Sequence, residues 1–513
     1  MNRNLADLIE HSLQQYHDKP AFHCLRHTLT FAEVDKKSQA LACYLQQCCD
    51  LQPGDRIAIQ LPNIMQFPIA AYAAIRAGLV LVNTNPQYTA REMLHQFVDS
   101  GAKAIIILQD LLPKLDEIKA TTAIDTVIST TATDLFDNIK PNIAGVTGFN
   151  QAMEVGATKQ LAKRPESKQH QLAVLQYTGG TTGPSKGACL THENLLTNAT
   201  QINERLAERC QEANEIFVCP LPLYHIYAFT VNMLAFFNRG NLNVLIPNPR
   251  DMDAFVGAIK LFKFTGFSGI NTLFVALCQH PEFSQLDFSN FKFTISGGSA
   301  LSGAAVDAWH RVTGCTISEG YGLSETSPVL CLNHPGKEHI GTVGLPLRDT
   351  EIELWDENDR VVAPGQEGQI VARGGQVMTG YWQQPEETRK VLSRDGWFKT
   401  GDVGIRMDDG CIKIVDRLKD LIIVSGFNVY PNEVEEVITQ HPDVLEAAVV
   451  GKHDDKTGES VVAYITTDKE ITEQQILTHC KEQLTGYKTP KTVVFLEQLP
   501  KSTVGKILRR ELR

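Results

Sequence analysis

Tyr177-Thr178-Gly179-Gly180-Thr181-Thr182-Gly183-Pro184-Ser185-Lys186-Gly187-Ala188 comes just after the apolar run 172–175, which reads as a strand. Glycines permit φ > 0 and leave successive backbone N–H groups uncovered, three threonines add hydroxyl donors, and Lys186 adds a mobile positive charge. Together these groups suit a polyphosphate. The plainer alternative is a hairpin turn made polar for solubility. A turn needs two or three such residues, whereas glycine and threonine fill seven of these twelve positions. No Gly-Lys-Ser/Thr opens a helix, so the loop is not of the Walker A kind.

Outward from this loop, strand and helix patterns alternate. Thr30 and Glu33 have capping-box spacing and open a helix expected to run through Tyr44. Pro53-Gly54-Asp55 turns into a strand at Arg56–Gln60, followed by a helix over 64–77, a short strand at 79–83, a helix from Thr89 and a strand at Ala104–Leu108. Ile105-Ile106-Ile107 is apolar on both faces, which predicts a mostly parallel sheet covered by helices on both sides. Ile216–Cys219, 243–246 and 292–296 repeat the pattern. Residues 140–170 are polar, marked by Pro141, Gly145 and Pro165, and read as a boundary or surface loop. From Asp349 short alternating strands suggest a smaller sheet. A last unit begins near Leu418, with strands at 447–450 and 460–466 and helices at 431–440 and 471–484. The expected fold is α/β: a large multi-sheet N-terminal domain over 1–417 with a small β-rich subdomain, and a mobile α+β lid over 418–513.

Composition is that of an ordinary globular chain. The 513 residues correspond to about three domain-sized units. With 48 Lys and Arg against 59 Asp and Glu, the net charge of −11 argues against nucleic-acid binding. It leaves room for a local anion pocket. The twelve cysteines form no CxxC and read as buried thiols in a reducing compartment. The first fourteen residues lack a signal-peptide apolar core, and the apolar run 67–82 is interrupted by Arg76. A cytoplasmic protein is expected.

The glycine-threonine loop resembles the phosphate signature of the adenylate-forming superfamily, which includes the acyl-CoA synthetases, luciferases and peptide-synthetase adenylation domains. Four further segments agree in the family's order. Gly320-Tyr321-Gly322-Leu323-Ser324-Glu325-Thr326 resembles its adenine and magnesium motif, and Tyr381-Trp382 with Asp395-Gly396-Trp397-Phe398-Lys399-Thr400-Gly401-Asp402 its ribose-side motif. Asp416-Arg417-Leu418-Lys419-Asp420 resembles the inter-domain hinge, and Pro500-Lys501-Ser502-Thr503-Val504-Gly505-Lys506 the terminal catalytic-lysine segment. Within the superfamily, Leu221-Pro222-Leu223-Tyr224-His225-Ile226-Tyr227-Ala228-Phe229 and the segments 424–433 and 505–513 are most similar to those of bacterial long-chain fatty acid–CoA ligases.

The resemblance implies roles residue by residue. Lys506, Lys186 and His225 are the implied catalytic residues. An ammonium at 506 would offset the charge that builds as a carboxylate attacks the α-phosphate of ATP. The plainer reading of Lys506 is one member of a solvated basic tail, and of His225 a satisfied core histidine. Nucleotide binding falls to Thr178, Gly179, Gly180, Thr181, Thr182, Gly183, Gly298, Ser299, Ala300, Glu319, Gly320, Tyr321, Gly322, Ser324, Asp402 and Arg417. Glu325 and Thr178 are the implied Mg²⁺ ligands. His225, Phe229 and Gly297 bound the acyl pocket, Ser425, Gly426 and Phe427 the coenzyme A tunnel, and Lys419 is the pivot. Ser324 stands where relatives usually carry threonine and keeps the hydroxyl.

The implied activity is ATP- and Mg²⁺-dependent conversion of a medium-to-long-chain fatty acid to acyl-adenylate, then transfer to coenzyme A. Three alternatives share the motifs: a ligase for an aryl or short-chain acid, an acyl-AMP ligase loading a carrier protein, and a catalytically silent nucleotide-binding scaffold. The stretch 138–171 is shorter than in the bacterial ligases, and Lys159, Lys163, Arg164 and Lys168 are not interleaved with aromatics. At most weak peripheral contact with the inner membrane face is therefore expected. Homodimers, common among relatives, complete the expectation.

Overall fold

Strands apolar on both faces build two large sheets that share one core. The computed structural model describes residues 4–137, 143–162, 170–178, 185–502 and 505–513. Gly179, Gly180, Thr181, Thr182 and Gly183 of the expected phosphate loop lie outside these, as do Lys163, Arg164 and Lys168. The seven-stranded sheet runs in the order Thr147–Gly148, Thr126–Thr130, Ala104–Leu108, Arg56–Gln60, Val80–Asn83, Leu172–Thr178, Lys186–Thr191. All its neighbours are parallel except the last pair. Along Arg56–Gln60 and Ala104–Leu108 the side chains alternate between two cores. Ile57, Ile59 and Ile106 face the core shared with the second sheet, whereas Ala58, Ile105 and Ile107 pack with Met93 and Phe97 on the far side.

The nine-stranded sheet follows the order Leu345–Pro346, Val329–Leu332, Ile317–Gly322, Phe293–Ser296, Gly266–Gly269, Ile216–Cys219, Leu242–Leu245, Pro20–Cys24, His27–Thr30. Its middle is parallel and both ends are antiparallel. Helix Gln66–Arg76 is buried at every residue; it packs on helix Phe31–Cys48, and its own Tyr72 ring meets those of Phe22 and Phe237. The Thr30–Glu33 capping box is present, with the Glu33 N–H donating to Thr30 Oγ1 at 3.2 Å and the Thr30 N–H to Glu33 Oε2 at 2.8 Å. The helix it opens continues past Tyr44 to Cys48, because Leu41 and Leu45 keep one face buried.

One local expectation is modified. The 140–170 region contains a short strand and helix Phe149–Gly156, whose Phe149, Ala152 and Met153 are buried at helical spacing. The phosphate loop joins two antiparallel strands paired Thr178 to Lys186, so helix His192–Leu206 begins only after the second strand.

The expected smaller sheet is antiparallel, Thr350–Trp355, Glu367–Gly374, Phe398–Arg406, Ile412–Arg417. After the 3-10 turn Leu418–Asp420, a five-stranded sheet with helices Pro431–Thr439 and Glu473–Gln483 forms the small C-terminal domain around its own core. No helix among the described residues is long and apolar enough to cross a membrane.

Candidate active site

Parallel strands of both large sheets end at one crevice, the usual place for a ligand in an open α/β sheet. Thr178 closes Leu172–Thr178, Gly297 follows Phe293–Ser296, and His225 lies on the segment leaving Ile216–Cys219. The antiparallel small sheet supplies Asp402 and Arg417 from paired positions on neighbouring strands.

Tyr321, Asp402 and Arg417 form one connected group. The Tyr321 hydroxyl donates to Asp402 Oδ2 at 2.6 Å, and Arg417 Nε lies 3.1 Å from Asp402 Oδ1. Asp402 is 4% exposed, so this carboxylate is held rigidly by a phenol and a guanidinium. The backbone around Tyr321 needs glycine on the next residue: a Cβ on Gly322 would lie 1.8 Å from the Pro328 carbonyl oxygen.

Lys506 belongs to the same neighbourhood. Burial pushes its ammonium down to about 7, with Arg417, Lys419 and Arg509 adding repulsion and Asp402 opposing it. The Lys506 backbone N–H donates to Ser502 Oγ at 3.1 Å, fixing the turn. Gly505 has φ +75, and a Cβ there would sit 2.4 Å from Ile270 Cδ1, so the lid tip is seated against the end of the strand Gly266–Gly269. His225 is pushed down to about 4 by burial and by the Lys506 charge. Its Nδ1 accepts the Tyr227 N–H at 3.3 Å, which leaves the ring proton of a neutral imidazole on Nε2. Arg509 is itself paired with Glu435, and Arg417 with Asp402, which leaves the Lys506 ammonium without a carboxylate of its own among the ion pairs of the described residues.

A second group surrounds the phosphate-loop strands. The Lys186 ammonium is ion-paired with Glu387 and lies 5.2 Å from the Tyr381 ring centroid. The Tyr381 hydroxyl donates to Glu325 Oε1 at 2.8 Å. Thr178 Oγ1 makes only a long 3.4 Å hydrogen bond to the Lys186 carbonyl. Glu325 is 9% exposed and burial raises its carboxyl pKa. A buried carboxylate with a phenol as its side-chain partner fits a divalent cation, which would restore the charge that burial disfavours. Glu325 and the neighbouring Thr178 hydroxyl are the oxygen donors available to Mg²⁺. Among the described residues one other group could hold a metal, His339, Asp409 and Cys411, and it comes from different turns.

The remaining expected residues are placed as follows. Gly297 packs under Tyr227, whose hydroxyl donates to the Ile295 carbonyl at 3.2 Å; Gly298 and Ala300 are exposed and Ser299 is half-buried. Gly320 and Ser324 flank Tyr321 on the same strand and turn. Glu319 accepts from the Gly341 backbone, and burial pushes its carboxyl up to about 7. Phe229 is fully buried at the start of a π-helix, Phe229–Phe236, a rare form that is frequent at functional sites. Ser425 and Gly426, at φ +52 and +85, make a hairpin turn, and the exposed Phe427 stacks on Tyr487 at 4.8 Å. These three stand on the lid and are not among the residues gathered around Lys506. Lys419 lies within the Leu418–Asp420 turn.

Two partners were not singled out from sequence: the Tyr381 hydroxyl as the mate of Glu325, and Glu387 as the mate of Lys186. Glu387 follows Pro385 in the first turn of helix Pro385–Val391, an acidic start that reads simply as a helix N-terminus.

The family model for AMP-binding enzymes matches residues 9–382, and that for the AMP-binding enzyme C-terminal domain matches 433–506. A long-chain-fatty-acid–CoA ligase of Escherichia coli O157:H7 is 43% identical over 530 aligned positions, covering 100% of this chain and 94% of that protein. The anthranilate CoA ligase AuaEII in complex with anthranoyl-AMP superposes with a TM-score of 0.91 at 25% identity, covering 99% of this chain and 96% of that one. ATP-bound MatB from Rhodopseudomonas palustris gives a TM-score of 0.88 at 28% identity, with 100% and 98% coverage. With family models matching residues 9–382 and 433–506 and a relative 43% identical over the full chain, the chain belongs to the AMP-binding enzyme family.

Proposed function

We propose that this protein joins a medium-to-long-chain fatty acid to coenzyme A at the expense of ATP. The carrying observation is full-length 43% identity to a long-chain-fatty-acid–CoA ligase, in a chain whose Lys506 is buried in a cationic pocket beside His225 and the Asp402–Arg417 pair. In the first half-reaction a fatty-acid carboxylate oxygen attacks the α-phosphorus of ATP, and the bond to the bridging oxygen breaks to release pyrophosphate. In the second, the coenzyme A sulfur attacks the acyl carbonyl carbon and AMP leaves.

The residues divide this work. Asp402 and Arg417 hold the ribose, and Tyr321 packs on the adenine while its hydroxyl keeps Asp402 oriented. Gly298, Ser299, Ala300, Glu319, Gly320, Gly322 and Ser324 shape the same nucleotide wall, and the 178–187 loop with Lys186 receives the polyphosphate. Mg²⁺ on Glu325 and Thr178, when bound, supplies charge neutralisation for the leaving phosphates. Lys506 stabilises the charge developing on the α-phosphate. His225, neutral and with its proton on Nε2, offers a hydrogen bond to the acyl carboxylate without adding charge. Gly297 and the buried Phe229 bound the acyl pocket. Ser425, Gly426 and Phe427 reach the thiol-entry path after the lid turns about Lys419, which makes Arg417–Leu418 the boundary between the two domains. A cytoplasmic homodimer with at most weak membrane contact belongs with this reading and is checked by light scattering and vesicle co-sedimentation.

The deciding experiment is a panel of C2 to C18 acids and an aryl acid, with coenzyme A and a phosphopantetheinylated carrier protein as acceptors. The highest kcat/KM is expected for a medium-to-long-chain acid with coenzyme A. A maximum for acetate or the aryl acid refutes the substrate class. A carrier preference above about tenfold, roughly 1.4 kcal/mol, refutes the acceptor.

A further inference from the structure

We propose that Glu387 is the resident counter-ion of Lys186: it pairs with the lysine in the empty site, yields it to the incoming polyphosphate and reclaims it as pyrophosphate departs. The inference rests on the reading of the 178–187 loop as the polyphosphate seat.

Lys186 lies against two groups. Its ammonium is ion-paired with Glu387 Oε2 and stands over the Tyr381 ring, whose hydroxyl is committed to Glu325. The Glu387 carboxylate bridges two lysines, with Oε1 turned to Lys390. Its neighbour Glu386 is paired with Arg389, so of two adjacent glutamates Glu387 is the one facing Lys186. Both lysines hold the Glu387 carboxyl down to about 2, so it is an anion throughout the working pH range.

The pair is built to exchange. The side chains of Lys186 and Glu387 are 34% and 31% exposed, so water and a ligand reach both. An ion pair of that exposure is a weak competitor, contributing at most about fivefold to an equilibrium. A phosphate and a carboxylate on the same ammonium repel each other, so occupation of the seat favours release of Glu387. Tyr381 remains beneath the lysine in either case and preserves its aim. Lys186 thereby keeps a partner for its ammonium between turnovers, and the return of Glu387 aids product release.

The test uses the full chain and inorganic pyrophosphate as the probe, with AMP as control because it lacks the β- and γ-phosphates. Glu387→Gln and Glu387→Ala are each expected to lower the inhibition constant for pyrophosphate by about three- to fivefold. The constant for AMP should stay within twofold. The gain should vanish when Lys186→Met is added. An unchanged or raised pyrophosphate constant in both Glu387 variants overturns the proposal, as does an equal change for AMP, which marks a general structural effect. Lys186→Met alone separates the two levels of inference. If it leaves pyrophosphate inhibition unchanged, the seat itself is misplaced and the proposal falls with it. If it weakens inhibition while both Glu387 variants behave as the parent, only the counter-ion role fails.

Discussion

Docking of the C-terminal domain in the ligand-free enzyme should strengthen as pH rises, because docking buries the Lys506 ammonium beside Arg417, Lys419 and Arg509, which Asp402 offsets only in part. The docked ammonium is pushed from its ordinary 10.5 down to about 7. The difference of 3.5 units, at about 1.4 kcal/mol each, sets a ceiling of about 5 kcal/mol on the cost of docking the charged form. Residual exposure of the side chain lowers this to about 3–4 kcal/mol. The sign follows from which state binds the proton more weakly. Below pH 7 docked and undocked forms are both protonated and the full penalty stands. Between 7 and 10.5 the docked form loses its proton first, so each pH unit relieves about 1.4 kcal/mol. From pH 6.5 to 8.5 the docked-to-undocked ratio should rise by at most about 25-fold, seen as compaction in small-angle scattering of the ligand-free enzyme. Saturating ATP should flatten the profile by supplying the missing anion. Glu319, which also titrates near 7, makes Lys506→Met the necessary control, and that variant should show no compaction. Equal compaction in Lys506→Met, no change in the parent, or expansion with rising pH would each refute the reasoning.

Three further outcomes are expected. Lys506→Ala should reduce pyrophosphate release by about 10²–10³, the loss of about 3–4 kcal/mol of transition-state stabilisation, while thioester formation from supplied acyl-adenylate falls far less; equal damage to both half-reactions removes the assignment. Lys419→Pro should spare adenylation, since a 3-10 turn accepts φ near −65° and the structure is already in the docked arrangement, and stall thioester formation; stopped-flow half-rates both within twofold of the parent exclude position 419 as the pivot. Gly322→Ala should destabilise the protein by about 1–3 kcal/mol, read in urea titration, because the added Cβ meets the Pro328 carbonyl; an unchanged midpoint shows that the strand relaxes freely.

Local patterns carried much of this molecule. The Thr30–Glu33 spacing announced a capping box that the structure contains, and the triple isoleucine 105–107 announced a strand buried on both faces. The pairing of Tyr321 with Asp402 could not be read, because 81 residues separate them and only tertiary packing between separate elements brings them together. The same holds for Lys186 and Glu387, 201 residues apart. The π-helix at Phe229–Phe236 left no periodic trace, since every residue in it is buried and no polar face marks the turn. Helix Phe149–Gly156 was hidden by the polar segments on either side of a short apolar stripe.

Asp402 and Arg417 sit opposite each other on adjacent strands, and the lid turn begins at the very next residue, Leu418. Because side chains alternate along a strand, one residue inserted or deleted within Ile412–Arg417 would turn Arg417 to the other face and re-aim everything downstream by half a pleat. Extra residues at 407–411, where the hairpin reverses, would leave that register alone. The hairpin is therefore a gauge with one adjustable end: its far tip tolerates a change of length, while its near edge sets both the meeting of Asp402 with Arg417 and the direction in which the last hundred or so residues leave the sheet.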